Sequence, residues 1–244
     1  MSEARNGSVK SATRALDIME YAVARDGQFT AQDVADTLGI PLSSMSYLLG
    51  TLVEREYLSR DGRRYERGPA MARLAAEPHS FSPAERARPI VRSLRAKLNE
   101  TTSFFGRSGW EAEALVTEAS EQALRYAVSQ NSRAPLHALA AGKAILAAME
   151  PEELSAYFRD SERKALTPNT ITDESRLRRE IEQVRKTGIA RSREEFSPGI
   201  AAIACPMGKD GSLSVAIPLV RFDEATEREA IDLLLAAAAK FGPA

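Results

Sequence analysis

The sequence predicts an α+β protein built in two parts: a small winged helix-turn-helix followed by a larger, mostly antiparallel α/β sandwich. Three observations carry that expectation. Residues 12–52 hold three short apolar-periodic helical patterns with a tight second turn. A two-residue hairpin signal, Asp61-Gly62, follows them. Beyond residue 100, strand and helix patterns alternate without regular strand-helix-strand units, and no Gly-rich phosphate loop follows a strand.

In the first helix Ala12, Ala15, Leu16, Met19, Ala22 and Val23 form one apolar face, and Asp26-Gly27 ends it. Thr30 precedes a second helix, with Asp33 three positions on as an acidic capping box and Val34, Ala35 and Leu38 as the buried stripe. Gly39-Ile40-Pro41 gives a short turn, with Pro41 suited to the first position of the third helix. There Met45, Leu48, Leu49 and Leu52 point inward. Tyr57–Arg60 and Arg63–Arg67 then make the hairpin strands.

A small domain is expected at 8–68, a connecting helical segment at 69–99 and a larger domain at 100–244. The junction is marked by Gly68-Pro69, a short helical pattern through Met71 and Leu74, and the Pro/Ser-rich stretch 77–83. In the larger domain strands are expected at Ser103–Arg107, Ala114–Glu118, Leu124–Ser129, Ile189–Arg193, Ala201–Met207 and Leu213–Leu219. Helices are expected at Leu139–Met149, Glu152–Phe158, Asp173–Thr187 and Glu224–Phe241. Leu177, Ile181 and Val184 form the stripe of the third, and Gly188 stops it.

Composition narrows the partners. The chain has 244 residues, 43% hydrophobic and 27% charged, which is globular rather than disordered. No apolar run approaches the roughly 18 residues that cross a bilayer, and the start MSEARNGSVK lacks the apolar core of a secretory signal. A cytoplasmic protein without a membrane partner is expected. The single cysteine, Cys205, suits a reducing compartment. Two distant histidines, His79 and His137, argue against a His/Cys metal site, and no cofactor is expected; an all-carboxylate site stays open. With 33 basic and 34 acidic residues, bulk charge announces no nucleic-acid partner.

Local pattern does. If the four apolar residues of the third helix pack inward, Ser43, Ser44, Ser46, Tyr47 and Thr51 point outward, where a helix-turn-helix meets the major groove. Hydroxyls bond phosphates or bases, and tyrosine can meet phosphate or a thymine methyl. Arg60, Arg63 and Arg64 stand at the hairpin, placed to grip phosphates. Gly50, costly inside a helix by about 1 kcal/mol, suits a close backbone approach. The alternative is a winged helix that binds protein. Residues 1–80 hold ten basic and eleven acidic side chains, and the third helix has no cation before Arg55.

Three stretches give the chain a closer likeness. They are ATRALDIMEYA (Ala12–Ala22) leading through VADTLGIPLSSMSYLLGTLVEREYL (Val34–Leu58); APLHALAAGKAILAAMEPEEL (Ala134–Leu154); and LTPNTITD (Leu166–Asp173) with EEFSPGIAAIACP (Glu194–Pro206) and SLSVAIP (Ser212–Pro218). In order and spacing the whole chain from about Ser8 to Phe241 resembles the IclR family of bacterial transcription regulators. The resemblance implies a linker helix after the winged helix and a GAF-like antiparallel α/β sandwich that binds an effector. It also implies double-stranded operator DNA as partner, a small organic acid as effector, and homodimers that pair into tetramers.

The resemblance carries pocket positions over as well. The backbone amides of Ala140 and Ala141 would open a helix onto the ligand, where free N–H groups and the helix dipole favour a carboxylate. Ser192 stands where relatives binding small keto acids place an acidic residue, and Ala202 where they place cysteine. Ser214 keeps the first serine of a Ser-x-Ser strand, while Ala216 replaces the second. Leu124 and Tyr126 fall on a strand expected to line the cavity. These departures imply a roomier, less polar pocket, suited to an aromatic acid or an amide-like derivative; alternatively the neighbours grow and the cavity shrinks. Relatives also place basic side chains on the reading helix where this chain has Leu42, Ser46 and Tyr47. The wing or an N-terminal segment with Arg5, Lys10 and Arg14 would then supply more of the affinity.

No catalytic constellation survives the same reading. Cys205 sits in an apolar strand, and His137 has no identifiable partner. Gly142-Lys143 lacks the rest of a phosphate loop, and Glu194-Glu195 would point to opposite faces of a strand. A regulator, a repressor of a catabolic operon, is expected; a sensor binding protein, or a hydrolase acting on its ligand, are the other readings.

Overall fold

The computed structural model describes residues 9–25, 27–75 and 81–241. Arg5, Asp26, His79 and the stretch 77–80 lie outside the described residues. The chain divides into two compact units, residues 1–80 and 81–244.

The first unit runs α1 (Lys10–Ala24), β1 (Phe29–Thr30), α2 (Ala31–Leu38), α3 (Leu42–Glu54), β2 (Leu58–Asp61), β3 (Arg64–Arg67) and α4 (Pro69–Ala75). The capping box is formed: Asp33 N–H donates to Thr30 Oγ1 at 3.2 Å, and Thr30 N–H donates to Asp33 Oδ2 at 2.8 Å. Gly39 ends α2 in the left-handed conformation. The stripe Met45, Leu48, Leu49 and Leu52 is buried against Ile18, Phe29, Val34 and Leu58.

Three local expectations shift. On α1 the core is reached through Ile18 and Ala22, while Leu16 and Val23 are exposed. At 100° per residue the six apolar positions span an arc of roughly 120°, and the buried face is centred on one edge of it, at Ile18 and Ala22. The hairpin turn is Gly62-Arg63 rather than Asp61-Gly62, since Asp61 pairs with Arg64. Gly62 takes φ +57° at the first turn position, a geometry that favours glycine. Pro41 is the N-cap of α3, one residue before its first turn. The unforeseen strand β1 pairs with β3, so the wing is a three-stranded antiparallel sheet.

The segment 69–99 is shared. Ala70 N–H donates to the Glu56 carbonyl and Arg73 pairs with Glu56 at 2.7 Å, holding α4 in the first unit. The helix α5 (Pro83–Leu98), capped by Ser82 and Glu85, packs in the second unit.

That unit continues β4 (Thr101–Ser108), β5 (Glu111–Glu118), β6 (Arg133–Pro135), α6 (Ala140–Ala148), α7 (Pro151–Asp160), α8 (Glu174–Thr187), β7 (Ala190–Arg193), β8 (Ile200–Pro206), β9 (Ser212–Pro218) and α9 (Glu224–Lys240). The strands form one antiparallel sheet in the order β6-β5-β4-β9-β8-β7. Phe104, Ile203, Val215 and Ile217 face α5 and α9, while Phe105, Ala114 and Ala204 face α6, α7 and α8. The period of two in a strand thus splits β4 and β8 between two apolar layers. The α+β class expected from the sequence is the one observed.

Residues 124–129 are not a strand. Their alternating Leu-x-Tyr-x-Val pattern belongs to an irregular stretch, two of whose carbonyls meet side chains instead of a partner strand. Thr101 Oγ1 donates to the Tyr126 carbonyl at 2.7 Å, and Arg221 donates to the Leu124 carbonyl at 3.0 Å. The short strand β6, which no sequence signal marks, pairs with β5 instead.

Candidate effector cavity and DNA-reading surface

On α3 the residues opposite the buried stripe are Ser43, Ser46, Tyr47, Gly50 and Thr51, all exposed; Ser44 is half-buried at the flank. Tyr47 is 79% exposed. Thr51 Oγ1 donates to the Tyr47 carbonyl at 3.0 Å, so its hydroxyl is left to accept from outside. On the wing Arg60, Arg63 and Arg64 are exposed. Arg60 is oriented from within: its Nε donates to the Gly62 carbonyl at 2.8 Å, and its guanidinium lies 5.6 Å from the Tyr65 ring centroid.

In the second unit the uncovered end of the α6-side sheet face opens a narrow cavity of about 40 Å³. Alternation along the strands builds the floor: Thr101, Ser103 and Phe105 from β4, Ser214 and Ala216 from β9, Ile200 and Ala202 from β8, and Ser192 from β7. Tyr126 and Val128 wall one side, Phe196 and Ser197 another, and Leu139, Ala140 and Ala141 close the end. Among the described residues no charged side chain lines it.

The closing end is polar through its backbone. Leu139 is the N-cap of α6, and its side chain makes no capping hydrogen bond. The N–H groups at a helix start have no partner within the helix, and they carry the positive end of its dipole. Gly142 lets the preceding turn fold tightly over this end, because a Cβ there would stand 2.1 Å from the Leu136 carbonyl oxygen.

Hydroxyls line the floor. Ser214 Oγ donates to the Ile203 carbonyl at 3.2 Å, and Ser103 Oγ bonds Thr117 Oγ1 at 3.0 Å. Ser192 is buried, and its hydroxyl has no partner among the described residues.

Of the eight cavity positions expected, Tyr126, Ala140, Ala141, Ser192, Ala202, Ser214 and Ala216 meet at this cavity, and Leu124 does not. Leu124 is 58% exposed and lies at a bend outside the sheet. Thr101, Ser103 and Phe105 were missed, although the alternation in Thr-Thr-Ser-Phe-Phe puts them on one face. Phe196, Ser197 and Ile200 come from the loop and strand start after β7, which carry no periodic signal.

That loop is pinned from behind. Thr167 Oγ1 donates to the Glu194 carbonyl and Thr170 Oγ1 to the Glu195 carbonyl, each at 2.6 Å. Glu194 does not continue the strand: at φ +56° its carboxylate accepts from Gly199 N–H at 2.8 Å. Glu195 turns inward to Lys143 of α6, and burial pushes its carboxyl above the usual range while the Lys143 ammonium pulls it back.

The remaining chemical groups are structural. The Cys205 thiol is buried, donates to the Leu234 carbonyl at 3.5 Å, and is pushed up to about 12 by burial. Burial holds His137 below its ordinary range, so the neutral ring can donate Nε2–H to the Lys164 carbonyl at 2.9 Å. Among the described residues no helix is long and apolar enough to cross a membrane.

A winged helix on one unit and a cavity with an uncapped helix end on the other define a regulator that pairs a DNA-reading module with a sensor. Comparison gives the family. The family model for the bacterial transcriptional regulator IclR C-terminal domain matches residues 79–242, and that for the IclR helix-turn-helix domain matches residues 11–62. The chain belongs to the IclR family of bacterial transcriptional regulators.

Among its relatives, the HTH-type transcriptional regulator Rv1719 of Mycobacterium tuberculosis is 29% identical, over 90% of this chain and 86% of its own. The HTH-type transcriptional repressor AllR of Escherichia coli is also 29% identical, over 84% of this chain and 78% of its own. The fold is shared with a solved IclR homologue from Microbacterium hydrocarbonoxydans complexed with 4-hydroxybenzoate. That protein has a TM-score of 0.59 and 21% identity, over 95% of this chain and 97% of its own.

Proposed function

We propose that this regulator represses a catabolic operon and responds to a small aromatic carboxylate, or an amide-like derivative of one, bound in the cavity of the second unit. One observation carries the reading: the uncapped start of α6 at Ala140 and Ala141 faces a cavity walled by Phe105, Tyr126 and Phe196 and free of charged side chains among the described residues. A carboxylate is stabilised there by backbone N–H groups and the helix dipole, and the aromatic walls suit a ring. A two- or three-carbon keto acid would leave the alanine-lined floor at Ala202 and Ala216 unfilled. The solved relative holding 4-hydroxybenzoate and the relative named a repressor both support this reading.

Ser43, Ser44, Ser46, Tyr47 and Thr51 then face the major groove, and Arg63 and Arg64 the phosphates, with Arg60 steadied by the wing. Effector binding shifts the population between arrangements of the DNA-reading modules, since a ligand moves an equilibrium only through different affinities for its states. A homodimer is part of the proposal. Leu16 and Val23 are exposed seven residues apart on α1, with Val9 exposed at its N-cap, the repeat with which helices pair.

The test is a footprint of the full chain on the intergenic DNA beside its own gene, with a panel of aromatic and aliphatic acids. A protected site altered by one aromatic acid is expected. A site altered only by aliphatic acids contradicts the effector assignment, and no protection at low salt contradicts an operator there.

A further inference from the structure

The outward arc of α3 is uncharged through its first two turns. It presents Leu42, Ser43, Ser46, Tyr47, Gly50 and Thr51, and the first cation is Arg55, the residue that caps the far end. Side chains that read bases by paired hydrogen bonds are arginine or lysine on guanine and asparagine or glutamine on adenine. None stands on this arc.

What the arc offers is apolar surface between hydroxyls. Tyr47 is 79% exposed and Leu42 49% exposed. The Tyr47 ring lies at the middle of the exposed face. Gly50 follows it by one turn, and among the described residues a Cβ at Gly50 would meet nothing within 4 Å beyond its own helix backbone and chain neighbours. The fold therefore does not require glycine there, although glycine weakens a helix. Its bare backbone leaves a shelf beside the Tyr47 ring on which a duplex can close against the helix.

An apolar group in the major groove has one apolar feature to meet, the 5-methyl group of thymine. We infer that Tyr47, with Leu42, reads thymine methyl groups, so that thymines rather than guanines specify this protein's operator opposite the first half of α3. The inference rests on α3 being the element that enters the groove.

The test selects duplexes from a random double-stranded pool with the full chain, then replaces each thymine of the enriched duplex by uracil. Only the methyl is lost. Affinity is expected to fall about threefold to fivefold at one or two positions, the value of burying one methyl group. Tyr47→Phe should keep that thymine/uracil ratio at its position, whereas Tyr47→Ser should erase it there and Leu42→Ser at a second. Equal affinity across all uracil duplexes overturns the inference while leaving DNA binding in place, as does loss of the ratio in Tyr47→Phe. Failure to enrich any duplex overturns the assignment of α3 as the reading helix, and the inference with it.

Discussion

Lys143 Nζ lies 2.8 Å from Glu195 Oε1, with the two side chains only 1% and 9% exposed. Glu180 Oε2 stands 3.5 Å from the same ammonium, and Glu195 Oε2 has no hydrogen-bond partner among the described residues. Lys143 is one turn past the α6 amides that close the cavity, and Glu195 precedes Phe196 in its wall. The pair therefore ties the carboxylate-facing end of the cavity to its aromatic side.

Removing Glu195 leaves the buried Lys143 ammonium only Glu180, at 3.5 Å. Glu195→Leu should destabilise the second unit by about 1–3 kcal/mol, and Lys143→Met with Glu195→Leu should recover much of that loss. Urea unfolding read by the fluorescence of Trp110, packed on Tyr157 in this unit, measures both. A double variant no more stable than Glu195→Leu alone would deny the coupling.

Ala140→Pro deletes one amide donor at a position where proline is tolerated. Leu139 has φ −113° and ψ 143°, the extended conformation that precedes proline, and position 140 opens the helix. Loss of one hydrogen bond to a charged ligand should weaken effector binding roughly tenfold to hundredfold. DNA affinity without effector should stay. Equal loss of both would remove the helix start from effector binding.

The wing prediction is electrostatic. Neutralising Arg63 and Arg64 should weaken binding to any duplex and make the slope of log affinity against log salt shallower, by about 0.9 for each phosphate no longer neutralised. Arg60, bound to the Gly62 carbonyl, should contribute less to that slope when replaced. An unchanged slope in Arg63→Ala with Arg64→Ala takes the wing off the phosphates.

Acid should weaken the second unit through His137. Burial holds its folded ring below the ordinary value of 6.5, so below that pH the unfolded chain takes up a proton that the folded chain refuses. Its contribution is full above about pH 6.5, declines as pH falls, and levels off below the lowered value. Glu195 works in the opposite sense. Its carboxyl is held above the ordinary 4.5, so its contribution is full below that value and is lost as pH rises through the raised one. Comparing stability curves of the parent and His137→Gln isolates the histidine: the difference should change from neutral pH to about pH 5, and a flat difference denies it.

Much of the first unit was legible because one-sided burial writes itself into spacing. The α3 stripe at Met45, Leu48, Leu49 and Leu52 is buried as read, and its polar arc is exposed. The α1 face was misread because apolar residues surround more than half of that helix, and only tertiary contact selects Ile18 and Ala22. In the cavity, the resemblance located the α6 start and the alanine and serine floor. The Leu124–Ser129 stretch misled because alternation records which residues face a surface, not whether a strand pairs beside them. The Lys143–Glu195 pair was illegible for another reason: charged residues 52 positions apart read as solvated until folding buries them together.

The cavity of the second unit should take an aromatic ring bearing a carboxylate. Calorimetric titration of the full chain with 4-hydroxybenzoate, 4-hydroxybenzamide and pyruvate, repeated on Ala202→Leu, checks this. Saturable binding of at least one aromatic ligand is expected, with none of comparable strength for pyruvate, and with loss of the aromatic binding when leucine fills the floor. Pyruvate binding more tightly than both aromatic ligands, or aromatic binding unaffected by Ala202→Leu, would contradict it.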